Sequence, residues 1–299
     1  MAENNSQRFL LLFEILNFLI NRNLFFWLIG KFNRRRWIKS VFLSYPANEM
    51  YAKEYAYKFR MGRWGIRLTG LLKQNGKIIL MFTVFVLESD LLEKKNKKRL
   101  EEIVRHIEKI RQLVHADNKA FAGILPGLLL KRKMIDKSPE ADLTALIVVE
   151  AVKLVKKRIG VDEEIPIVVL GGRGFIGKAV VDKLKSVQKS DIYVVDIIGR
   201  NNKWPEGKTR KIVINLARHN TIQLYYDALR RGDVILNEAY PAPSFEIISA
   251  IKSFNCDCFH IVGVEATAFP RFTQAYQGGI PCCAAWNSDE KKVIIKKLT

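Results

Sequence analysis

The chain has 299 residues, 48% hydrophobic and 27% charged, with 50 Lys and Arg against 30 Asp and Glu, a net charge of +20. That length sets a soft expectation of two domains, and the ordinary composition excludes a disordered tail, a collagen-like repeat and a small disulfide-stapled module. The charge favours an acidic partner (nucleic acid, anionic membrane or acidic protein) and says nothing about fold.

The first 40 residues read as two short helices. Phe9 to Phe13 and Leu24 to Ile29 are strongly apolar, but Glu14, Arg22 and three asparagines (Asn17, Asn21, Asn23) interrupt them. No run reaches the roughly 18 uncharged apolar residues of a spanning helix, and no small-residue cleavage site follows. Lys31, Arg34, Arg35, Arg36, Trp37 and Lys39 come next. Such a stretch admits two readings: helices covering a core with a solvated corner, or an element resting on an anionic membrane surface.

Residues 47–61, with Tyr51, Tyr55 and Tyr57, read as a third helix. The period then changes to a hairpin: Ile66 to Leu72, a tight turn at Asn75-Gly76, and an arm from Ile78 to Leu87 that is apolar on both faces. Residues 91–115 read as an amphipathic helix with Ile103, Ile107, Ile110 and Val114 on one stripe, opened by Lys94, Lys95, Lys97, Lys98 and Arg99. Ala122 to Gly127 is a turn-forming break, and Asp142 is placed to cap a helix from Leu143 to Lys157. The domain boundary falls near 140–160. This gives an α/β chain: an N-terminal α+β domain over 1–150 and a C-terminal Rossmann-type doubly wound parallel sheet over 151–299.

The second domain carries the specific signal. A β-rich run, Ile165 to Leu170, leads into Gly171-Gly172-Arg173-Gly174-Phe175-Ile176-Gly177 and then a helical stretch. A second strand ends in Asp196. Gly172-x-Gly174-x-x-Gly177 with an acidic residue about 20 positions on is the dinucleotide fingerprint. Its first glycine permits the turn, Gly174 admits the pyrophosphate and Gly177 lets helix pack on strand, with Phe175 and Ile176 in the helix's first turn facing the phosphates. The expected cofactor is NAD(P)H. Asp196 suits the ribose hydroxyls of NAD, whereas Arg173 and Arg200 suit the 2′-phosphate of NADP. Strands at 211–215, 233–237 and 258–263, with helices at 222–231 and 243–254, continue the alternation of a parallel sheet.

The four cysteines, Cys256, Cys258, Cys282 and Cys283, lack metal-site spacing and make a poor disulfide framework, so a reduced, cytoplasmic protein without a metal is expected. No Ser-His-Asp set or Walker loop is present. His260 reads as a packed strand residue, and Lys119 is a candidate acid of a dehydrogenase. Cys283 follows Gly278-Gly279-Ile280-Pro281-Cys282, a loop expected to present a thiol at a helix N-terminus, where it would be activated.

The order of segments resembles the long-chain acyl-(acyl-carrier-protein) reductases, enzymes that form fatty aldehydes. Their hairpin is similar to Ile66–Thr69 with Asn75–Ile79, and their G-G-F-T-S-I-I turn to Phe121–Leu129. Their V-V-G-A-T-G-D-I-G is similar to Val169–Gly177, with Phe175 where the family has Asp, and their G-G-Y-P to Glu238–Pro241. The family's A-C-F-A matches Cys282-Cys283-Ala284-Ala285. The resemblance spans residues 60–286. It implies Cys283 as acyl acceptor, NADPH as reductant, and an acidic acyl carrier protein rather than nucleic acid as partner. Two further readings stand beside it. One is a dehydrogenase of another small metabolite using a polar group near Lys119 or Asp142; the other is a non-catalytic nucleotide sensor.

Overall fold

The hydrophobic spacing resolves into elements as follows in the computed structural model, which describes residues 2–19, 22–161, 164–196, 202–206, 210–217, 220–272, 275–286 and 292–299. The N-terminal elements are α1 (Ala2–Leu19), α2 (Arg22–Phe32), β1 (Ile38–Ser44), α3 (Glu49–Ala52), β2 (Arg63–Gln74) and β3 (Lys77–Phe85). Then come α4 (Glu88–Leu92), α5 (Lys97–Leu113), β4 (Asn118–Phe121), α6 (Leu125–Lys131) and α7 (Glu140–Ile159). The nucleotide-type segment is β5 (Ile167–Leu170), α8 (Phe175–Val187), β6 (Ile192–Val195), β7 (Ile212–Asn215), β8 (Val234–Asn237), α9 (Phe245–Ser253) and β9 (Asp257–Glu265). Three short strands close the chain: β10 (Thr267–Phe269), β11 (Gly279–Ile280) and β12 (Val293–Lys297).

The chain divides into one unit of Met1–Glu140 with Val264–Lys292, and a second of Ala141–Gly263 with Val293–Thr299. This differs from the expected 1–150 and 151–299 division, because residues 264–292 return to the first unit.

In the first unit the sheet order is β10-β2-β3-β1-β4. β1 is parallel to β3 and β4, and β2 is antiparallel to β3 and β10. The hairpin turns at Asn75 (φ 47°) and Gly76 (φ 73°), the backbone that Asn-Gly favours. Ile79 to Phe85 are all buried, as an arm apolar on both faces requires. α5 packs Leu100, Ile103, Ile107 and Ile110 into the same core. Two asparagine side chains fasten the N-terminal helices. Asn17 pairs with both backbone groups of Leu68, donating to its oxygen at 2.7 Å and accepting from its nitrogen at 3.0 Å. Asn33 bonds Ile38 in the same two-sided way and donates to Val114 O at 2.7 Å.

Several sequence expectations change here. Residues 47–61 form only the single turn α3, because Glu54, Tyr55 and Ala56 are consecutively buried and no helix face holds three neighbours in sequence. β1, which was not expected, is a short, largely buried run in mid-sheet, with Val41, Phe42 and Leu43 wholly inaccessible. Lys94 and Lys95 sit in a 3-10 turn before α5, so only Lys97, Lys98 and Arg99 oppose that helix's dipole. Asp142 lies inside α7, which begins at Glu140. Residues 221–228 are 3-10 turns broken at Tyr225 rather than one α-helix.

The second unit confirms the Rossmann-type expectation. β6, β5, β7, β8 and β9 lie side by side in that order, all parallel, and β12 pairs with β9. The order runs outward from β5 in both directions, and in open sheets of this kind ligands bind at such a switch point, here the carboxyl end of β5 beside β7. A buried ion pair, Lys211 Nζ to Asp233 Oδ2 at 2.6 Å, ties the starts of β7 and β8. Asp233 also accepts from the backbone nitrogens of Lys211 and Arg230, so its charge is fully engaged.

Candidate functional site

The glycine turn follows β5, at the carboxyl end of the parallel sheet. Gly171 takes φ 79°, donates its N–H to Val195 O at 2.8 Å, and lies so close to Ala217 that a Cβ would meet its nitrogen at 3.1 Å. A Cβ on Gly172 would come within 2.9 Å of Val194 Cγ1, and one on Gly177 would run into the carbonyl of Gly171. Gly174 differs: a Cβ there would meet Gly171 O at 3.1 Å and otherwise open space. Three glycines thus pack the turn closely, and the fourth, Gly174, leaves room for a ligand. α8 starts at Phe175 with no side chain capping it and no acid in its first turn. Its leading N–H groups and positive dipole end are therefore presented to an anion. Arg173 and Phe175 are exposed, and Ile176 is half-buried.

Asp196 stands just past β6. Its backbone is locked by Asn202, which accepts from Asp196 N at 3.0 Å and donates to Asp196 O at 2.7 Å. Its Oδ2 accepts from Arg173 N at 3.2 Å, setting the carboxylate at the lip of the glycine turn. The fit to a dinucleotide is good: helix N-terminus for pyrophosphate, open space at Gly174, carboxylate for ribose. Arg200, the candidate partner of a 2′-phosphate, lies outside the described residues, as does His219.

Cys283 belongs to the first unit. It occupies a three-residue 3-10 turn, Cys282–Ala284, entered from Pro281, so the expected helix N-terminus beside the thiol is absent. The turn packs against β4. Near it lie Tyr45 and the Gly123–Ile124 turn that the tyrosine bonds. Tyr45, just after β1, accepts from Ile124 N at 3.1 Å, and Gly123 (φ 56°) packs so tightly that a Cβ would strike the tyrosine hydroxyl. Burial raises the Tyr45 pKa, and the nearby Glu88 and Cys283 add to it. Tyr45 therefore stays protonated within electrostatic reach of the cysteine. Cys282 and Cys283 are partly accessible, whereas Cys256 and Cys258 are buried, which pushes their thiols up to about 11 and about 12. Of the four thiols, Cys282 and Cys283 are the ones that solvent reaches.

The other candidates are structural. Lys119 pairs with Glu108 at 2.7 Å, and Glu108 also takes Arg111 at 2.7 Å, which with Lys119 lowers its carboxyl to about 2. His260 is buried as expected, its Nδ1 3.0 Å from Asn237 O, and burial lowers it to about 4. A groove of about 1050 Å³ runs from the hairpin tip at Lys73 to Arg271, Tyr276 and Lys292, and it includes neither Cys283 nor Tyr45.

Glu238 is a candidate that sequence reasoning did not single out, because the environment of one glutamate leaves no pattern in sequence. It follows β8 at the carboxyl end of the parallel sheet, where ligands of this architecture bind, and burial pushes its carboxyl up to about 8. In the folded chain it keeps a proton that the unfolded chain loses at ordinary carboxyl pH. Stability should therefore fall as pH rises from about 5 to 8, by at least about 1 kcal/mol. Glu238→Gln should flatten that slope in urea unfolding across the same range; an unchanged slope would refute the assignment.

No protein-family model matches the chain, and no curated protein matches it. Among solved structures it is similar to the bifunctional FolD methylenetetrahydrofolate dehydrogenase/cyclohydrolase of Campylobacter jejuni, at 13% identity and TM-score 0.34, over 72% of this chain and 76% of that one. It is also similar to a putative malic enzyme, at 16% identity and TM-score 0.35, over 72% and 63%. A third is the shikimate 5-dehydrogenase of Listeria monocytogenes, solved with shikimate and NAD, at 11% identity and TM-score 0.35, over 75% and 86%. At these scores the likeness is partial, and the cofactor reading rests on the glycine turn alone.

Proposed function

We propose that the protein is an NAD(P)H-dependent oxidoreductase that reduces a fatty acyl thioester to an aldehyde through a thioester on Cys283. The observation that carries the cofactor half is the cradle: an uncapped α8 N-terminus, a glycine with open space beside it, and Asp196 held at the lip of the turn. The second half is supported by the convergence of Cys283, Tyr45 and the Gly123–Ile124 turn.

In that chemistry Cys283 loses its proton and its sulfur attacks the acyl carbonyl carbon. The carrier thiolate departs and takes up a proton, leaving the acyl group on the protein. NAD(P)H held at the glycine turn would supply the hydride for the acyl carbon, and breaking of the carbon–sulfur bond would release aldehyde and return the Cys283 thiolate. Tyr45, held protonated, is placed to steady charge near the thiol.

The net charge of +20 suits an acidic carrier. So does a hollow of about 310 Å³ in the first unit, where Arg60, Arg63 and Arg67 surround Trp64 and Phe85. Incubation with acyl-CoA or acyl carrier thioester, without nucleotide, should add one acyl mass to the peptide holding Cys282 and Cys283. NADH or NADPH should then release it as aldehyde. Nucleotide binding without an adduct would leave the oxidoreductase of another metabolite, or the sensor, as the reading.

A further inference from the structure

α1 and α2 carry apolar side chains on two faces, and the first unit covers one. Leu10 and Phe13 of α1 and Phe26 of α2 are buried, and Gly30 is closed against the carbonyl of Leu113. The opposite faces are bare: Leu12, Ile15 and Phe18 on α1, Leu24, Trp27 and Leu28 on α2. Phe18 is 88% exposed, and Phe32, at the end of α2, is 78% exposed. α5 supplies the contrast within the same unit, burying Leu100, Ile103 and Ile107 while turning Lys98, Glu102, Arg105 and Lys109 outward. A helix that only covers a core has an outer face like that of α5.

Positive charge adjoins the bare faces. Lys31 lies 4.1 Å from the Trp27 ring centroid, exposed Arg34 and Arg35 follow in the next turn, and Trp37 is exposed beside them. No single helix among the described residues is long and apolar enough to cross a membrane, and the two helices are bent 112° to each other. We infer that this helix pair docks the protein on an anionic lipid surface. Phe18, Trp27 and Phe32 enter the acyl boundary, and Lys31, Arg34 and Arg35 meet the headgroups. A second copy fits less well. In a two-fold pairing the patch meets itself, setting Arg34 and Arg35 against their equivalents on molecules that each carry +20.

This inference is independent of the acyl-thioester reading and is tested without substrate. The full chain should co-sediment with vesicles of phosphatidylcholine containing phosphatidylglycerol at least about tenfold better than with phosphatidylcholine alone, and high salt should release it. Phe18→Asp combined with Trp27→Asp should weaken binding roughly tenfold at an unchanged thermal midpoint, since both side chains are exposed. Arg34→Glu with Arg35→Glu should bring anionic vesicles down to the level of neutral ones. Equal partitioning to both vesicles, or none, overturns the inference. A lipid-free dimer dissolved by Phe18→Asp would assign the face to a second copy instead.

Discussion

Cys283→Ala is expected to abolish the acyl adduct and to lower aldehyde formation by at least about 1000-fold, the scale of loss when a covalent nucleophile is removed. NAD(P)H affinity should be unchanged. Cys282→Ala should retain most activity. The two sulfurs are neighbours on a 3-10 turn, where successive side chains point about 120° apart, so one can meet the acyl carbon while the other cannot. Without a helix dipole at the turn, activation of the thiol falls to its local surroundings. Tyr45→Phe should therefore slow adduct formation while leaving nucleotide affinity alone. Stopped-flow adduct formation and steady-state aldehyde release check all three variants. Undiminished turnover by Cys283→Ala would remove both the residue and the covalent route.

The glycine turn offers the other large effect, through a contrast between two positions. Gly174→Val should weaken NADH and NADPH binding by more than about 100-fold, or roughly 2.7 kcal/mol, while the chain stays folded. The open space at Gly174 admits the side chain without protein clashes beyond Gly171 O, and fills the path of the phosphate. Gly177→Ala should instead destabilise the fold, by about 1–3 kcal/mol, because its Cβ collides with backbone that cannot retreat. Fluorescence titration with NADH and thermal unfolding separate the two. Full affinity in Gly174→Val would place the dinucleotide elsewhere.

The sequence made the second unit legible because each of its elements announces itself locally. A buried parallel strand reads as Ile167 to Leu170, a glycine run as a turn, and an amphipathic stretch as α8. The first unit was harder for the same reason. β1 and β4 are only seven and four residues long, and neither shows the strict alternation that marks a half-buried strand. The asparagines of the first 40 residues read only as interruptions of two apolar runs. Asn17 is in fact bonded to the backbone of Leu68, a pairing across 51 positions that no local window contains. Cys283 was legible as a thiol but not as a neighbour of Tyr45, since strand pairing and a distant return of the chain bring them together.

That return has a consequence for how the protein is made. The first unit is not finished when its first 140 residues have left the ribosome, because its edge strand β10 and the Cys283 turn are encoded after residue 263. At roughly 5–20 residues per second, synthesis of the intervening second unit takes on the order of 6–25 s. Throughout that interval Leu71, Leu72 and Lys73 of β2 lack Phe269, Ala268 and Thr267 as ladder partners, an open edge that invites pairing with other chains. A newborn chain thus waits, unsealed, for residues 267–269. Ribosome pausing within the second half would lengthen its exposure to misassembly without altering a single native contact.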